Sequence, residues 1–192
     1  MKLVDQSLRD VLAAFSSPNP TPGGGSGSAL ASALGVSLLM MVGGLPKTRT
    51  GAAEERTALA SATETLAEIR QRLTDAVDAD AAAYDQVVAA YKLPKASADE
   101  QATRKAAIDG ALRAATDAPL GVMRLSSAAL GCAESIAAHG HRAAGSDVEV
   151  ALVLIRAGFE GARLNVDVNL SGIRDETYAA AVRDEVERLP NR

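Results

Sequence analysis

The stretch VDADAAAYDQVVAAYKLPK places a carboxylate where a helix should carry a hydrocarbon. In a helix through this region, Asp75, Asp78 and Asp85 share a solvated face with Gln71, Thr74 and Gln86. Steps of three, four and seven residues either way from Asp80, and eight residues onward, land instead on Leu73, Ala76, Val77, Ala83, Tyr84, Val87 and Val88, so Asp80 lies in the apolar stripe. Burial without a cationic partner raises a carboxyl pKa, and a carboxyl that keeps its proton near neutrality can act as a general acid. The same position also suits an Asp bonded to a neighbouring helix end or paired with an arginine.

A second set of residues lies in NPTPGGGSGSAL. A phosphate loop of the Walker type, or a dinucleotide fingerprint, would need a preceding strand, and the former would end in Gly-Lys-Ser/Thr. Here Leu3, Val4, Leu8, Val11, Leu12 and Phe15 recur at helical spacing, so the glycines join two helices. Pro20 and Pro22 stop the first, and Gly23, Gly24 and Gly25 leave room for another chain or a ligand. Ser26 or Ser28 is placed to cap the second, and its free N–H groups could hold an anion.

The third set lies in GSDVEVALVLIRAGFEGARLNVDVNLSGIRD. Ser146 and Glu149 have capping-box spacing, and Asp147 complements a helix start. Ala151, Leu154, Gly158, Gly161, Asn165 and Asn169 fall in one narrow stripe, a close-packing groove ending in two amides. Asp147 and Asn165 are 18 residues apart, about 27 Å along a helix, too far to share a small ligand within one chain. An antiparallel dimer about this groove would bring opposite ends together. His139, His141 and Cys132 lack the further ligands that a zinc site requires, so no metal site is expected. His141 suits either a general base or a polar residue at a helix end.

These residues need long helices to hold them. After the first two helices, PKTRTGAAEER is a polar loop, and a helix free of proline and glycine then runs to Lys92 with Leu59, Leu66, Ile69, Leu73 and Val77 on its apolar side. Pro94 ends it, Lys95 to Gln101 reads as polar linker, and the next helix is expected to kink or break at Pro119. A long helix follows from near Ser146, and a short one fills Asp175 to Leu189. With 192 residues, 47% hydrophobic and only 3% aromatic, the chain fits one all-α domain over residues 1–192, with a core of small aliphatic side chains. A net charge of −4 with scattered cations excludes a nucleic-acid footprint. The apolar run Ala29 to Leu45 is interrupted by serines and glycines and reads as a core helix, so no membrane is expected as a partner. One cysteine and an N-terminus without an apolar segment point to the cytoplasm.

Together, PTPGGGSGSALASALGVSLLMMVGGL, VDADAAAYDQVVAAYKLPK, ATDAPL, SDVEVA and GARLNVDVNLSGIRD, in this order over nearly the whole chain, resemble the cyclodeaminase/cyclohydrolase family. The resemblance implies an all-α homodimer acting on tetrahydrofolate derivatives, with folate as substrate and no metal or other cofactor. Its reaction either hydrolyses the 5,10-methenyl bridge to the 10-formyl form or closes the 5-formimino form with loss of ammonia. The family's DxDAxAF-like segment lands on Asp78 and Asp80, of which the face argument selects Asp80 as catalytic. Pro22, Gly23, Gly24, Gly25, Ser26, Asp147, Asn165 and Asn169 would line the substrate. The chain departs from the family pattern in LPKTRTGAA, which has no tyrosine and only Lys47 and Arg49 as cations, and at His141 and Glu149. Hydrolysis stands ahead of deamination, since no formiminotransferase partner is fused within these residues. The alternatives are a non-catalytic helical dimer that binds a small molecule or serves assembly, and a purely structural bundle.

Overall fold

The computed structural model describes residues 2–191, which form six α-helices: α1 (Leu8–Phe15), α2 (Gly24–Gly43), α3 (Ala53–Tyr91), α4 (Ala98–His139), α5 (Gly145–Leu170) and α6 (Glu176–Arg188). No strand is present among them, in agreement with the all-α expectation. Helices α2 to α5 run up and down in turn, each packed on its sequence neighbour, and α5 closes the ring against α2. Leu66, Leu73, Val36, Leu39, Met123, Leu120, Ile136, Ile155 and Val166 fill the middle with almost no exposure. At roughly 25 cal/mol per Å² of apolar surface removed from water, this shared interior is what holds four long helices together.

The N-terminal segment is not one helix. A 3₁₀ turn at Leu3–Asp5 ends before Ser7, whose hydroxyl accepts from the Asp10 N–H and so starts α1 anew. The turn is tied to α3, because the Leu3 N–H donates to Asp78 Oδ1 at 2.6 Å.

Helix α2 has the length and apolarity of a membrane span, but α3, α4 and α5 surround it and bury its Ala29, Val36, Leu39 and Val42. It is a core helix, as its interrupted sequence implies. Its partner α5 comes unusually close. A Cβ on Gly35 would lie 2.7 Å from the Ala151 carbonyl oxygen, and one on Gly158 would meet the Ser28 carbonyl oxygen at 2.6 Å and the Ser32 side chain. The small-residue stripe of α5 is therefore a packing seam against α2.

Three expectations about helix ends are corrected. Helix α4 starts at Ala98, inside the supposed linker, because Ser97 and Glu100 form a capping box. The same spacing at Ser146 and Glu149 forms no cap: α5 already begins at Gly145, so Ser146 lies within the helix. Ser26 and Ser28 likewise sit inside α2, whose N-cap is Gly23.

Pro119 does not break α4, which continues through it for 42 residues. A proline has no N–H, so the carbonyl four residues earlier, that of Ala115, loses its helical donor. Asn169 Nδ2, from α5, donates to that carbonyl at 2.6 Å. The helix survives because a neighbour supplies the missing hydrogen bond.

The loop before α3 is also held by a residue that the sequence did not single out. Buried Glu55 Oε2 accepts from Thr48 Oγ1 at 2.5 Å, the Thr50 N–H at 2.9 Å and the Gly51 N–H at 3.1 Å. Gly51, at φ 89°, adopts a backbone conformation that suits glycine alone. The Thr48 hydroxyl, and then the Thr50 N–H, hold the Glu55 carboxyl down from 4.5 to about 2. Because the folded value is the depressed one, the stability it contributes is complete above about pH 4.5 and is lost as pH falls toward 2. Urea unfolding of wild type and Glu55→Gln should therefore show wild type the more stable at pH 7, with the two converging through this range. A gap independent of pH would refute the assignment.

Candidate functional site

The glycine-rich start of α2 and the middle of α3 meet at Asp80. Its Oδ2 accepts from the Ser26 N–H at 2.9 Å and from Ser26 Oγ at 3.3 Å. Ser26 itself is fully buried. Oδ1 takes part in no hydrogen bond among the described residues. The side chain thus completes the first turn of α2, where the N-cap glycine has no side-chain oxygen to offer. Gly25 makes this approach possible: a Cβ there would overlap the Asp80 carboxylate. Burial pushes the carboxyl above its ordinary value, and the two Ser26 donors pull it partly back. No arginine or lysine pairs with it among the described residues, which leaves burial as the dominant influence.

Asn165 of α5 reaches the same corner. A Cβ on Gly24 would lie 3.1 Å from its Nδ2, which donates to the Gly161 carbonyl at 2.8 Å. Pro22, after a cis peptide bond with Thr21, and Gly23 form the chain's entry into this corner. The structure therefore gathers Asp80, Gly24, Gly25, Ser26 and Asn165, with Pro22 and Gly23 leading in. Asn169 lies one turn further along α5 with its amide N–H given to Ala115, a structural duty that its sequence position did not reveal.

Asp147 is elsewhere. It occupies the first turn of α5, about 27 Å along the helix from Asn165, and one chain does not bring it to Asp80. At that end a cavity of about 290 Å³ is bordered by Arg49, His141, Arg142, Gly145 and Glu149. The Arg49 N–H donates to the His139 carbonyl at 2.9 Å and its guanidinium to the Ala137 carbonyl at 2.6 Å, so the loop carrying Lys47 and Arg49 is fixed on the end of α4. Asp78, the other carboxylate of the motif, is a strut: Oδ1 holds Leu3, and buried Oδ2 has no partner among the described residues. Cys132 does not border the cavity that His141 lines, and no group of three or more His, Cys, Asp or Glu among the described residues is arranged to hold a metal ion.

What this corner offers is a half-buried carboxyl with one oxygen uncommitted, beside an amide and a backbone stripped of side chains. It can take a flat ligand close to the main chain and exchange one proton with it. Comparison with known proteins bears on which ligands such corners serve. The Formiminotransferase-cyclodeaminase family model matches residues 7–188. A methenyltetrahydrofolate cyclohydrolase of Methylorubrum extorquens is 35% identical, over 96% of this chain and 89% of its own. A formimidoyltransferase-cyclodeaminase of Sus scrofa is 30% identical over 97% of this chain but only 35% of its own, so this chain spans about a third of that relative. The crystal structure of formiminotetrahydrofolate cyclodeaminase from Thermotoga maritima superposes with a TM-score of 0.85 at 28% identity, covering 96% of this chain and 88% of that one. The same up-and-down bundle and an end-to-end sequence match place this chain in the formiminotransferase-cyclodeaminase family.

Proposed function

We propose that this chain is a folate one-carbon enzyme that hydrolyses 5,10-methenyltetrahydrofolate to 10-formyltetrahydrofolate, with Asp80 as the group that moves the proton. The observation that carries the reading is the Asp80 carboxyl, raised by burial and open at Oδ1, in a chain similar over its length to a named cyclohydrolase. Water adds to the bridging carbon as a proton passes to the carboxylate, giving a tetrahedral carbon between N5 and N10. The bond to N5 then breaks as the carbinol oxygen becomes the formyl C=O and releases its remaining proton to solvent, while the carboxyl returns the first proton to N5, leaving the formyl group on N10. No electrons change hands, so folate enters as substrate and the reaction calls for no redox partner. Gly24 and Gly25 allow the ring to approach the main chain, and Asn165 offers an amide to its edge.

Cyclising deamination of 5-formiminotetrahydrofolate is the second reading, favoured by the name of the Thermotoga maritima structure. It passes through the same kind of tetrahedral carbon, with N10 attacking and the proton going to departing ammonia. The deciding experiment follows loss of the methenyl absorbance over the spontaneous rate, and in parallel ammonia release from the formimino compound. Acceleration of either assigns the reaction; acceleration of neither by folded protein removes the enzyme reading in favour of a binding or assembly module.

The reading includes a homodimer in the cytoplasm. Val150, Val153, Leu164 and Val168 stand exposed along one side of α5, beside exposed Leu34 and Met41 of α2. Exposed apolar side chains gathered in this way support the dimer reading, since such patches occur where a partner binds. An antiparallel two-fold about it would carry the Asp147 end of one protomer toward the Asp80 corner of the other and give Asp147 a place at the site. Sedimentation at micromolar concentration should return twice the 19.7 kDa chain mass; a monomer at all concentrations would refute it.

A further inference from the structure

Ser26 stands third after the N-cap Gly23 of α2, where a helix leaves an N–H without a partner. A side chain at the N-cap ordinarily accepts from that N–H. Here the acceptor is Asp80 Oδ2, which arrives from α3 and lies 2.9 Å from the nitrogen. The Ser26 hydroxyl donates to the same oxygen at 3.3 Å. The other serines of α2 spend their hydroxyls differently: Ser28 and Ser37 donate to carbonyls four residues earlier, and Ser32 pairs with Ser126. Ser26 alone among them gives both of its donors to a carboxylate, and it does so with no exposure to solvent.

Two donors on one oxygen make the two oxygens of Asp80 unequal. A backbone N–H cannot become an acceptor, so a proton placed on Oδ2 would face the Ser26 nitrogen and break the 2.9 Å bond. A proton on Oδ1 breaks nothing, because Oδ2 then accepts as a carbonyl oxygen. The carboxyl can therefore gain and release a proton at one atom while the start of α2 stays in place.

Charged neighbours do not share this task. Helix α2 carries no ionisable side chain. On α5, Arg163 near Asn165 is paired with Glu160 and Asp167. On α3 itself, Asp78 is turned to Leu3 and Tyr84 is exposed. The N-terminal segment brings Lys2, Asp5, Arg9 and Asp10, all exposed. On α4, Asp109 lies as far from the start of that helix as Asp80 does from the end of α3, with Lys105 and Arg113 one turn to either side and Arg113 paired with Asp175. Burial, which raises the Asp80 carboxyl, and the two Ser26 donors, which lower it, are the influences that remain.

We propose that Ser26 is a positioning residue for the proton transfer: its N–H and hydroxyl hold Asp80 Oδ2, so that the proton is taken up and released at Oδ1 alone. The inference rests on the hydrolysis reading above and deepens it. It assigns the Ser26 donors to Asp80 rather than to the substrate, which is the place the family resemblance implies for this serine.

The test is the pH dependence of Ser26→Ala, which removes the hydroxyl and leaves the N–H. Bridge opening begins with an ionised Asp80, so kcat above the spontaneous rate rises with pH through the midpoint of the carboxyl. Losing one donor to the ionised form should move that midpoint up by about one unit and lower kcat about tenfold at pH values below it. Activity should return at high pH, with KM little changed. Ser26→Cys, whose thiol is a weaker donor, should move the midpoint in the same direction and serves if Ser26→Ala folds poorly. A loss of activity equal at every pH is what a merely structural serine would give, and it overturns the inference. A second measurement uses no substrate: carbon-13 NMR of the Asp80 carboxyl, assigned by its absence in Asp80→Asn, follows the titration directly in wild type and Ser26→Ala. An upward shift of about one unit supports the clamp even if no folate is turned over, in which case the activity reading alone has failed. An unmoved titration refutes the clamp whatever the turnover.

Discussion

Asp80→Asn is expected to lower kcat for opening of the methenyl bridge by about 10²- to 10⁴-fold, the range that a positioned proton-transfer group supplies. The change keeps the shape and an oxygen able to accept from Ser26, and removes only the capacity to hold and return a proton. KM should change little by comparison, because Gly24, Gly25 and Asn165 remain to receive the ring. Stability provides the control. Burial raises the Asp80 carboxyl, so the folded state prefers its protonated form and loses stability as pH rises through the raised value. A neutral amide escapes that loss, and Asp80→Asn should melt no lower than wild type at pH 8. An inactive variant that melts lower would point to damage at the start of α2. Activity within a few-fold of wild type would remove Asp80 from the mechanism.

Gly158→Ala should destabilise the protein by about 1–3 kcal/mol, the cost of forcing extra volume into a packed interior. The added methyl meets the Ser28 carbonyl oxygen and the backbone nitrogen of Ser32, neither of which can swing aside as a flexible side chain would. This cost must exceed the roughly 1 kcal/mol that alanine gains over glycine within a helix. Gly110→Ala in α4 separates the two effects, because a Cβ there would meet nothing within 4 Å. It should stabilise by up to about 1 kcal/mol, so the variants move in opposite directions. For a chain of this size each kcal/mol corresponds to about 2–4 °C in Tm. If Gly158→Ala melts at or above wild type, the α2–α5 seam is looser than its geometry states.

The bundle was legible because long helices repeat their apolar residues many times. Leu59, Leu66, Ile69, Leu73 and Val77 mark the buried side of α3 with enough redundancy that Asp80 stands out against it. Ser97–Glu100 and Ser146–Glu149 have the same spacing, yet only the first caps a helix. A local pattern permits a cap, whereas the 3₁₀ turn at Arg142–Ala144 leads directly into α5 before Ser146 is reached. The continuity of α4 through Pro119 is hidden from the sequence for a related reason: the residue that compensates for the proline, Asn169, is 50 positions away. Glu55 carries a weak sequence signal, an acidic residue in the first turn after a glycine, that is shared by many helix starts.

The hydrogen bond between Asn169 and the Ala115 carbonyl constrains the order in which this chain can evolve. While Pro119 is present, losing the Asn169 amide strands a carbonyl at about 1–3 kcal/mol. Once Pro119 has given way to a residue with an N–H, the helix can satisfy that carbonyl itself and Asn169 becomes free to drift. The two positions are therefore epistatic: substitution at 119 opens a path that substitution at 169, taken first, closes.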